Sequence, residues 1–359
     1  MNGRFTRRSF FGVAAGASAA SAFGAQQAAP PDEYKPEPVF PPPAQSKVSV
    51  IQGEQRRKIV HDALLAIDDQ IRPVLKRKKC VVIKPNIVST VNQLAATHAD
   101  ALHGILDYLG PRFKGPVVIA ESSAGDTLEG YENFGYNRVA TEHRSQKVTL
   151  VDLNREGKYE VRPLLRPDLH VQPVRLAARL LDPDAFVICS AILKTHNTVI
   201  ATMSVKNMTL GAPLRSAPGQ GRWNDKRKYH GGIRQTNYNM MLTAQKMRPF
   251  WGATLIDGFE GMEGNGPSSG TPVASRVAIA STDYIAADRV GIEAMSIDPS
   301  WIGYLQYCAQ VGLGQYDLSK IGVVGAKLAD IKKPYRMHRD VERELEWRGP
   351  LVEVPPKLG

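Results

Sequence analysis

The sequence is poor in cysteine. Its 359 residues contain three, Cys80, Cys189 and Cys308, which lie far apart in the chain. No Cys-x-x-Cys pair occurs, although such pairs commonly supply the ligands of iron–sulfur clusters and structural zinc sites. Cys80 and Cys189 lie in apolar runs, where cysteine usually packs as a small hydrophobic side chain. We therefore expect buried structural thiols and no cysteine-ligated iron–sulfur cluster.

Long apolar runs are absent beyond the N-terminal stretch. No later segment offers about 18 consecutive apolar residues, the length that predicts a membrane-spanning helix. We therefore expect no membrane span in the mature protein.

Acidic residues are outnumbered by basic ones, and the formal charge at pH 7 is +11. A basic surface of this size favours anionic partners in general, although a solvated surface without any partner has the same composition. The basic runs at residues 76–79 and 226–228 lack the interleaved aromatic residues and the module signatures of nucleic-acid-binding proteins. We expect no nucleic acid partner.

The first 25 residues contain no acidic residue and carry an arginine pair. Arg7 and Arg8 precede Ser9 and two phenylalanines, and an uncharged stretch rich in Ala, Gly and Ser follows. This order is typical of an export signal. We predict that residues 1–25 are a twin-arginine signal peptide, that the twin-arginine translocase is a partner during export, and that the protein works in the periplasm or outside the cell. A general secretory signal is the alternative.

Proline marks the segment that follows. Residues 26–46 contain seven prolines, a composition typical of an extended linker. Residues 47–330 are predicted to form the folded domain. Residues 331–359, which are charged and then rich in proline, are predicted to form a tail that wraps the surface or frays.

Apolar runs and helical patterns alternate within the predicted domain. Strands are predicted at residues 48–51, 80–83, 117–120, 148–151, 185–189, 253–256, 277–280 and 321–324. Helices are predicted at residues 54–71, 98–109, 199–210, 235–247 and 284–295, with a further helix between the third and fourth strands. This alternation predicts an α/β fold in three layers, with a mainly parallel sheet flanked by helices, as one body or as two subdomains.

Polar side chains follow three of the predicted strands. They form the strings Lys84-Pro85-Asn86, Glu121-Ser122-Ser123 and Lys194-Thr195-His196, and Lys206-Asn207 lies in a predicted helix. Ligands of open α/β sheets bind beyond the carboxyl ends of the strands, so we expect these residues to line one cleft. Lysine and histidine hold carboxylates or phosphates and transfer protons once their pKa values are tuned. For any one string, a solvated loop is the alternative.

A glycine-rich stretch follows the predicted strand at residues 253–256. Five glycines lie between Gly258 and Gly270, interleaved with acidic residues. Oxygen side chains suit a hard cation, and successive backbone N–H groups suit an anion. The stretch fits neither the EF-hand nor the phosphate-loop pattern. We expect a long loop that closes over the cleft, with a plain glycine-rich turn as the alternative.

Together these strings resemble a known family. The strings Val82-Ile83-Lys84-Pro85-Asn86, Ala120-Glu121-Ser122-Ser123, Leu193-Lys194-Thr195-His196, Val205-Lys206-Asn207 and residues 260–267 occur in this order. The arrangement resembles the family known as domain of unknown function 362, over about residues 47–300. The resemblance implies that the strings form one site, and it implies no particular reaction. Many relatives carry an added ferredoxin-like module with two cysteine-rich motifs, which this sequence lacks.

The resulting hypothesis is an exported α/β enzyme that acts on a small anionic molecule, a carboxylate or a phosphate, with a divalent metal as a candidate cofactor. The predicted catalytic residues are Lys84, Lys194 and His196, with His196 as general acid or base. The predicted substrate-binding residues are Asn86, Glu121, Ser122, Lys206, Asn207, Gly264, Asn265 and Gly266. The predicted metal ligands are Asp257, Glu260 and Glu263. A non-catalytic binding or cofactor-carrier protein that uses the same cleft is the alternative.

Overall fold

The computed structural model describes residues 41–217 and 219–349. The predicted signal peptide, most of the predicted linker and residues 350–359 of the predicted tail lie outside the described residues. The described residues belong to one compact unit. None of their helices is long and apolar enough to cross a membrane.

Twelve strands and twelve helices lie within the described residues. The strands are β1 (Ser46–Gln52), β2 (Cys80–Lys84), β3 (Val117–Glu121), β4 (Val148–Asp152), β5 (Tyr159–Leu165), β6 (Val171–Ala177), β7 (Ala185–His196), β8 (Ile200–Thr202), β9 (Trp251–Glu263), β10 (Thr271–Val273), β11 (Val277–Ser281) and β12 (Ile321–Gly325). The helices are α1 (Arg56–Leu65), α2 (Asp68–Leu75), α3 (Ala99–Leu109), α4 (Thr127–Asn133), α5 (Tyr136–Glu142), α6 (Leu153–Glu156), α7 (Ser204–Gly211), α8 (Ile233–Met247), α9 (Tyr284–Ala294), α10 (Gly303–Gln310), α11 (Leu328–Ile331) and α12 (Val341–Glu344).

Ten of the strands form one mixed sheet, whose central order is β12-β1-β11-β9-β7-β2-β3-β4. The five strands from β9 to β4 are mutually parallel. β11 runs antiparallel to both of its neighbours, and the short strands β8 and β10 are antiparallel additions to β7 and β9. The sheet is therefore mostly parallel and flanked by helices, which confirms the predicted α/β class.

Both faces of the sheet are buried. On β2, Val82 packs into one hydrophobic cluster, whereas Val81 and Ile83 pack into another on the opposite face. Successive side chains of a strand point to opposite faces, so a strand covered on both sides needs apolar residues throughout. This explains the continuous apolar runs that predicted the central strands.

The predicted helix at residues 54–71 is two helices. α1 ends at Leu65, and Ile67 adopts φ −119° and ψ 20° before α2 begins at Asp68. The Asp68 carboxylate accepts hydrogen bonds from Tyr108 and Arg112 of the α3 region. Negative charge is also favourable in the first turn of a helix. These contacts fix a new helix start that the apolar spacing did not show.

The predicted helix at residues 199–210 is wrong over its first half. Ile200 has a positive φ of 67°, which a helix does not allow. Residues 200–202 instead form β8, in which Ile200 pairs with His196 and Thr202 pairs with Lys194 of β7. The helix α7 begins only at Ser204.

The first part of the glycine-rich stretch, up to Glu263, is strand, which corrects the predicted loop. β9 continues to Glu263 because it pairs with β11 as far as Gly258 and with β10 from Gly261 onwards. A large irregularity interrupts its pairing with β7, where Ile192 faces Asp257 but Lys194 already faces Met262. Glycine within a strand often marks such a bulge. Only residues 264–270 form the turn between β9 and β10.

β5 and β6 form a separate antiparallel hairpin that the sequence did not predict. Tyr159, Val161 and Val171 on its outer face are 47%, 51% and 65% exposed. Pro163 of β5 lies directly opposite Pro173 of β6. The hairpin therefore has an apolar outer face and a proline in each strand.

Residues 331–349 pack on the body of the protein. Tyr335 and His338 are buried. The fully buried Glu344 accepts a hydrogen bond from the backbone N–H of Ile200 at 2.5 Å. This part of the predicted tail is thus joined to β8, beside the end of β7.

Candidate functional site

Three strand ends meet at one edge of the sheet. Lys84 is the last residue of β2, Glu121 is the last residue of β3, and Lys194 lies two residues before the end of β7. β2 lies between β3 and β7, and all three strands run in the same direction. Their carboxyl ends therefore bring residues that are distant in sequence into one region.

Lys84 and Glu121 form a buried ion pair at this edge. The Lys84 ammonium lies 2.8 and 2.9 Å from the two carboxylate oxygens of Glu121, and both side chains are at most 3% exposed. The carboxylate also accepts hydrogen bonds from the backbone N–H groups of Ile87 and Ser122, at 2.9 and 2.7 Å. A buried pair needs such additional hydrogen bonds to offset the loss of hydration.

Two asparagines extend the network to Lys194. The side-chain oxygen of Asn207 accepts hydrogen bonds from Lys84 at 3.0 Å and from the Asn86 amide at 3.1 Å. The Asn86 oxygen in turn accepts one from the Lys194 ammonium at 2.6 Å. The structure therefore brings together five residues that the sequence had predicted for the site, from Lys84 to Asn207.

Two further lysines complete what we call the lysine cluster, defined as Lys84, Lys194, Lys206 and Lys226. The Lys226 ammonium donates to the Ser122 hydroxyl at 2.9 Å and to a backbone carbonyl at 3.3 Å. Lys206 is 6% exposed, and no acceptor within residues 41–217 and 219–349 bonds its ammonium group. Lys206 is thus the lysine of the cluster that lacks an internal partner among the described residues.

The lysine cluster carries an excess of positive charge. Burial lowers the pKa of Lys194 far below its usual range, that of Lys206 to about 8 and that of Lys226 to about 7. Neighbouring lysines lower these pKa values further, and Glu121 raises each of them. Arg215 lies close enough to act on Lys226, and its own guanidinium bonds only backbone carbonyls among the described residues. Several cations therefore share a single carboxylate.

Two histidines adjoin the cluster. His196 is buried, and its Nδ1 accepts a hydrogen bond from the backbone N–H of Thr198 at 3.0 Å. Burial and the positive charge of Lys206 hold the pKa of His196 well below its usual range. The neutral ring of His196 therefore carries its proton on Nε2, from which it can donate a hydrogen bond. Desolvation, Lys206 and Lys226 lower the pKa of His230 to about 4.

The helix α7 is held in place from α9. The fully buried carboxylate of Asp288 accepts hydrogen bonds from the backbone N–H groups of Ser204 and Val205, at 2.9 and 3.0 Å, and one from the Ser204 hydroxyl. These are the N–H groups of the first helical turn, which have no partner inside a helix. Asp288 thereby fixes the turn that carries Lys206 and Asn207. Burial raises the pKa of Asp288 to about 7.

The predicted binding residues of the glycine-rich stretch lie beside β7. The Thr195 hydroxyl donates to the carbonyl of Gly264 at 2.9 Å. A Cβ atom on Gly266 would lie 2.0 Å from the Thr195 carbonyl oxygen, so only glycine fits there. Among the described residues, none of Gly264, Asn265 and Gly266 bonds a lysine of the cluster. These three residues dock the turn at 264–270 onto the strand that carries Lys194.

The three predicted metal ligands do not form a common site. The buried Asp257 carboxylate lies 3.1 Å from Nε of Arg56. Glu263 accepts a hydrogen bond from the backbone N–H of Arg336 at 2.9 Å and pairs loosely with its guanidinium. Among the described residues, no group of three or more His, Cys, Asp or Glu side chains is placed to hold a metal ion. The donor set therefore does not fit a metal, since arginines already balance Asp257 and Glu263.

Glu260 and Asp257 instead border a small pocket that none of the four lysines lines. Its lining residues are Arg56, Gln93, Leu94, Ala96, His98, Ile192, Asp257 and Glu260. Burial and Arg56 lower the pKa of His98. This pocket holds charges of both signs, in contrast to the lysine cluster.

Sequence reasoning missed Lys226, Arg215 and His230 as site residues. All three lie in the segment between α7 and α8, which contains no long regular element. The strand-end rule therefore gave no signal for them. The local signal was the basic run at residues 226–228, of which Lys226 enters the site while Lys228 bonds the Pro173 carbonyl.

Comparisons with known proteins match this chain to a family and to a curated relative. A family model described as "Domain of unknown function (DUF362)" matches residues 81–293, which contain the whole lysine cluster. A thylakoid-associated protein of Synechocystis sp. is 30% identical over 190 residues, or 52% of this chain and 52% of that protein. The chain thus spans about half the length of this curated relative.

A crystal structure of a protein from Thermotoga maritima has a TM-score of 0.42 at 9% identity, and the match covers 73% of this chain and 59% of that chain. This likeness is too low to carry an argument about function. The family model, in contrast, matches more than half of the chain. The chain therefore belongs to the DUF362 family, a domain family of unknown function.

Proposed function

We propose that the protein is an enzyme that binds a small anion, a carboxylate or a phosphate, at the lysine cluster. One observation carries this proposal: three buried lysines and the half-buried Lys226 surround one carboxylate, and Lys206 has no internal acceptor among the described residues. Like charges held together in a protein interior repel each other by several kcal/mol per close pair, on the order given by Coulomb's law. A bound anion relieves that repulsion and replaces the hydration that Lys206 has lost.

The acid–base state of the cluster supports an enzyme over simple capture. Capture of an anion needs only fully charged donors. Lys206 and Lys226 instead have pKa values of about 8 and about 7, close to the pH at which the protein would work, where a group both gives and takes a proton efficiently. In this proposal His196 donates a hydrogen bond from Nε2 to the anion, and Lys84 with Glu121 holds the framework.

Anion binding is tested by isothermal titration of the full chain with phosphate, acetate and succinate. We expect one site per chain for at least one of these anions. Lys206→Met should weaken its binding at least about tenfold, the loss expected when one charge-assisted hydrogen bond is removed. The matched control is Lys76→Met, because Lys76 is an exposed lysine away from the cluster. Equal weakening by both variants, or no binding to wild type, would contradict the proposal.

Native mass spectrometry separates the enzyme from a carrier. The protein is purified without added anions, and the mass of any retained ligand is measured before and after incubation. An enzyme converts the ligand to a product of different mass in wild type and not in Lys206→Met. Release of an unchanged ligand by both proteins would favour the non-catalytic binding or carrier role.

We also propose that the chain is exported by the twin-arginine route. The arginine pair and the weakly apolar stretch after it support this proposal. Replacing both Arg7 and Arg8 with lysine preserves the charge of the segment and removes the guanidinium pair. The double variant should accumulate in the cytoplasm when cell fractions are compared by immunoblot, whereas Arg4→Lys should be exported normally. Normal export of the double variant would refute this route.

A further inference from the structure

The four lysines of the cluster differ in what their ammonium groups bond. Lys84 bonds Glu121, Asn207 and the Pro85 carbonyl. Lys194 bonds Asn86 and, at 3.4 Å, the Ala95 carbonyl. Lys226 bonds the Ser122 hydroxyl and the Leu210 carbonyl.

Lys206 differs from these three in having none of its N–H groups engaged within the described residues. An amine is a nucleophile only when it is unprotonated, and hydrogen bonds to acceptors stabilise the protonated form. Lys206 has no such acceptor, it is buried, and Lys84 lies close enough to oppose its positive charge. These are the conditions that activate a lysine for covalent catalysis. At pH 8 about half of the Lys206 side chains are neutral, given its pKa of about 8.

We propose that Lys206 attacks the carbonyl carbon of a small oxo acid and forms an imine with it, while the neighbouring cations hold the carboxylate of that acid. The inference rests on the proposed anion site and names its substrate class. An oxo acid combines the two groups that the cluster would receive, an electrophilic carbonyl for the amine without a partner and a carboxylate for the surplus positive charge.

The imine forms by addition of the amine and then loss of water. The neutral amine of Lys206 adds to the carbonyl carbon, and a proton moves from nitrogen to oxygen to give a carbinolamine. The hydroxyl group then takes a proton from the Lys226 ammonium and leaves as water, so a protonated imine remains on Lys206. Lys226 suits this transfer because its pKa of about 7 allows it to release a proton near neutral pH. No oxidant or reductant takes part.

The test traps the imine. Wild type is incubated at pH 8 with glyoxylate or pyruvate and sodium cyanoborohydride, which reduces an imine to a stable secondary amine. We expect one adduct per chain by intact mass, located on Lys206 by peptide mapping. Lys206→Arg keeps the positive charge but forms no imine, so its labelling should be lost almost completely. Lys76→Arg, which changes an exposed lysine, should label like wild type. Labelling spread over the exposed lysines, or none on Lys206, would overturn the inference.

A second measurement on wild type alone covers the case in which Lys206→Arg does not fold. The initial rate of trapping at Lys206 should rise between pH 7 and pH 9 and level off, following the neutral fraction of an amine with a pKa of about 8. A rate that keeps rising to pH 10.5, the ordinary pKa of a lysine, would show an unactivated amine and contradict the inference.

Failure of the imine is distinguishable from failure of the anion site. Lactate carries the same carboxylate as pyruvate but has no carbonyl to attack. Binding of lactate and pyruvate by isothermal titration, without any adduct on Lys206, would refute the imine and leave the anion site standing. Absence of both binding and adduct would refute the two together.

Discussion

The lysine cluster and the acidic residues of β9 were predicted as two halves of one site, and the structure separates them by their charge balance. In the lysine cluster, four lysines share the carboxylate of Glu121, and Lys206 lacks a partner among the described residues. On β9, Asp257 lies against Arg56 and Glu263 against Arg336. Each of these two carboxylates has its counter-charge within the protein and needs no ligand. A surplus of positive charge, in contrast, favours the binding of an anion.

The largest effect is expected when the one carboxylate of the lysine cluster is removed. Glu121→Gln leaves the Lys84 ammonium buried without a counter-charge, and breaking a buried pair in this way costs about 3–5 kcal/mol. We expect the free energy of unfolding, measured by urea denaturation at pH 7, to fall by that amount. A loss below about 1 kcal/mol would show that the pair is not essential to the fold.

Asp257→Asn tests the acidic residues of β9, because it removes the carboxylate that lies against Arg56. Asp257 and Arg56 form a nearly buried pair, so we expect a loss of about 1–3 kcal/mol in unfolding free energy, the cost of leaving a buried polar group unpaired. Anion affinity should stay within about twofold of wild type, because Asp257 is absent from the charges that act on Lys194, Lys206 and Lys226. A large drop in phosphate or carboxylate affinity would instead join the two regions into one site.

Lys206→Met should raise the free energy of unfolding, whereas the two substitutions above lower it. Burial lowers the pKa of Lys206 from 10.5 to about 8, so the charged side chain is held at a cost on the order of 1–3 kcal/mol at pH 7. Between pH 8 and 10.5 the unfolded chain binds more protons than the folded protein, so the stability of wild type rises with pH in this range. The advantage of the variant, measured by thermal unfolding, should be full at pH 7 and vanish above pH 10.5. An equal advantage at both pH values would assign the effect to packing.

The smallest effect is expected for Glu263→Gln. Its partner Arg336 has a guanidinium 3.8 Å away and a side chain that is 63% exposed, and exposed ion pairs contribute about 0–1 kcal/mol. Urea denaturation should therefore show a loss below about 1 kcal/mol, with anion binding unchanged. A loss as large as that of Glu121→Gln would erase the contrast between the two regions.

Most of the candidate site residues that the sequence predicted lie where a strand stops, whereas Lys206 and Asn207 lie in α7. Lys84 and Glu121 could be found because apolar runs buried on both faces end in polar residues, and because parallel strands end at one edge. Lys226 and His230 could not be found in this way, since a segment of short turns brings them to the cluster. Their placement depends on tertiary packing, for which the local pattern of apolar residues gives no signal.

The predicted loop and the predicted start of a helix were wrong because both segments pair with neighbouring strands. The glycines of residues 258–270 suggested a loop, but neighbouring strands on both sides hold β9 extended as far as Glu263. Residues 200–202 were predicted to begin a helix, but pairing with β7 holds them as β8. Partners far away in sequence decided both cases.

The facing prolines of the β5–β6 hairpin have a consequence for self-association. A hairpin with an exposed apolar face would ordinarily accept a further strand along a free edge. In an antiparallel pair, residues that do not bond each other direct their N–H groups outward, and proline has no N–H to direct. Pro163 and Pro173 therefore leave a gap in the outer donors of both strands, and Lys228 covers the Pro173 carbonyl. The hairpin therefore keeps an exposed apolar face, while the missing N–H donors at its edges disfavour the strand pairing that would extend the sheet into a fibre.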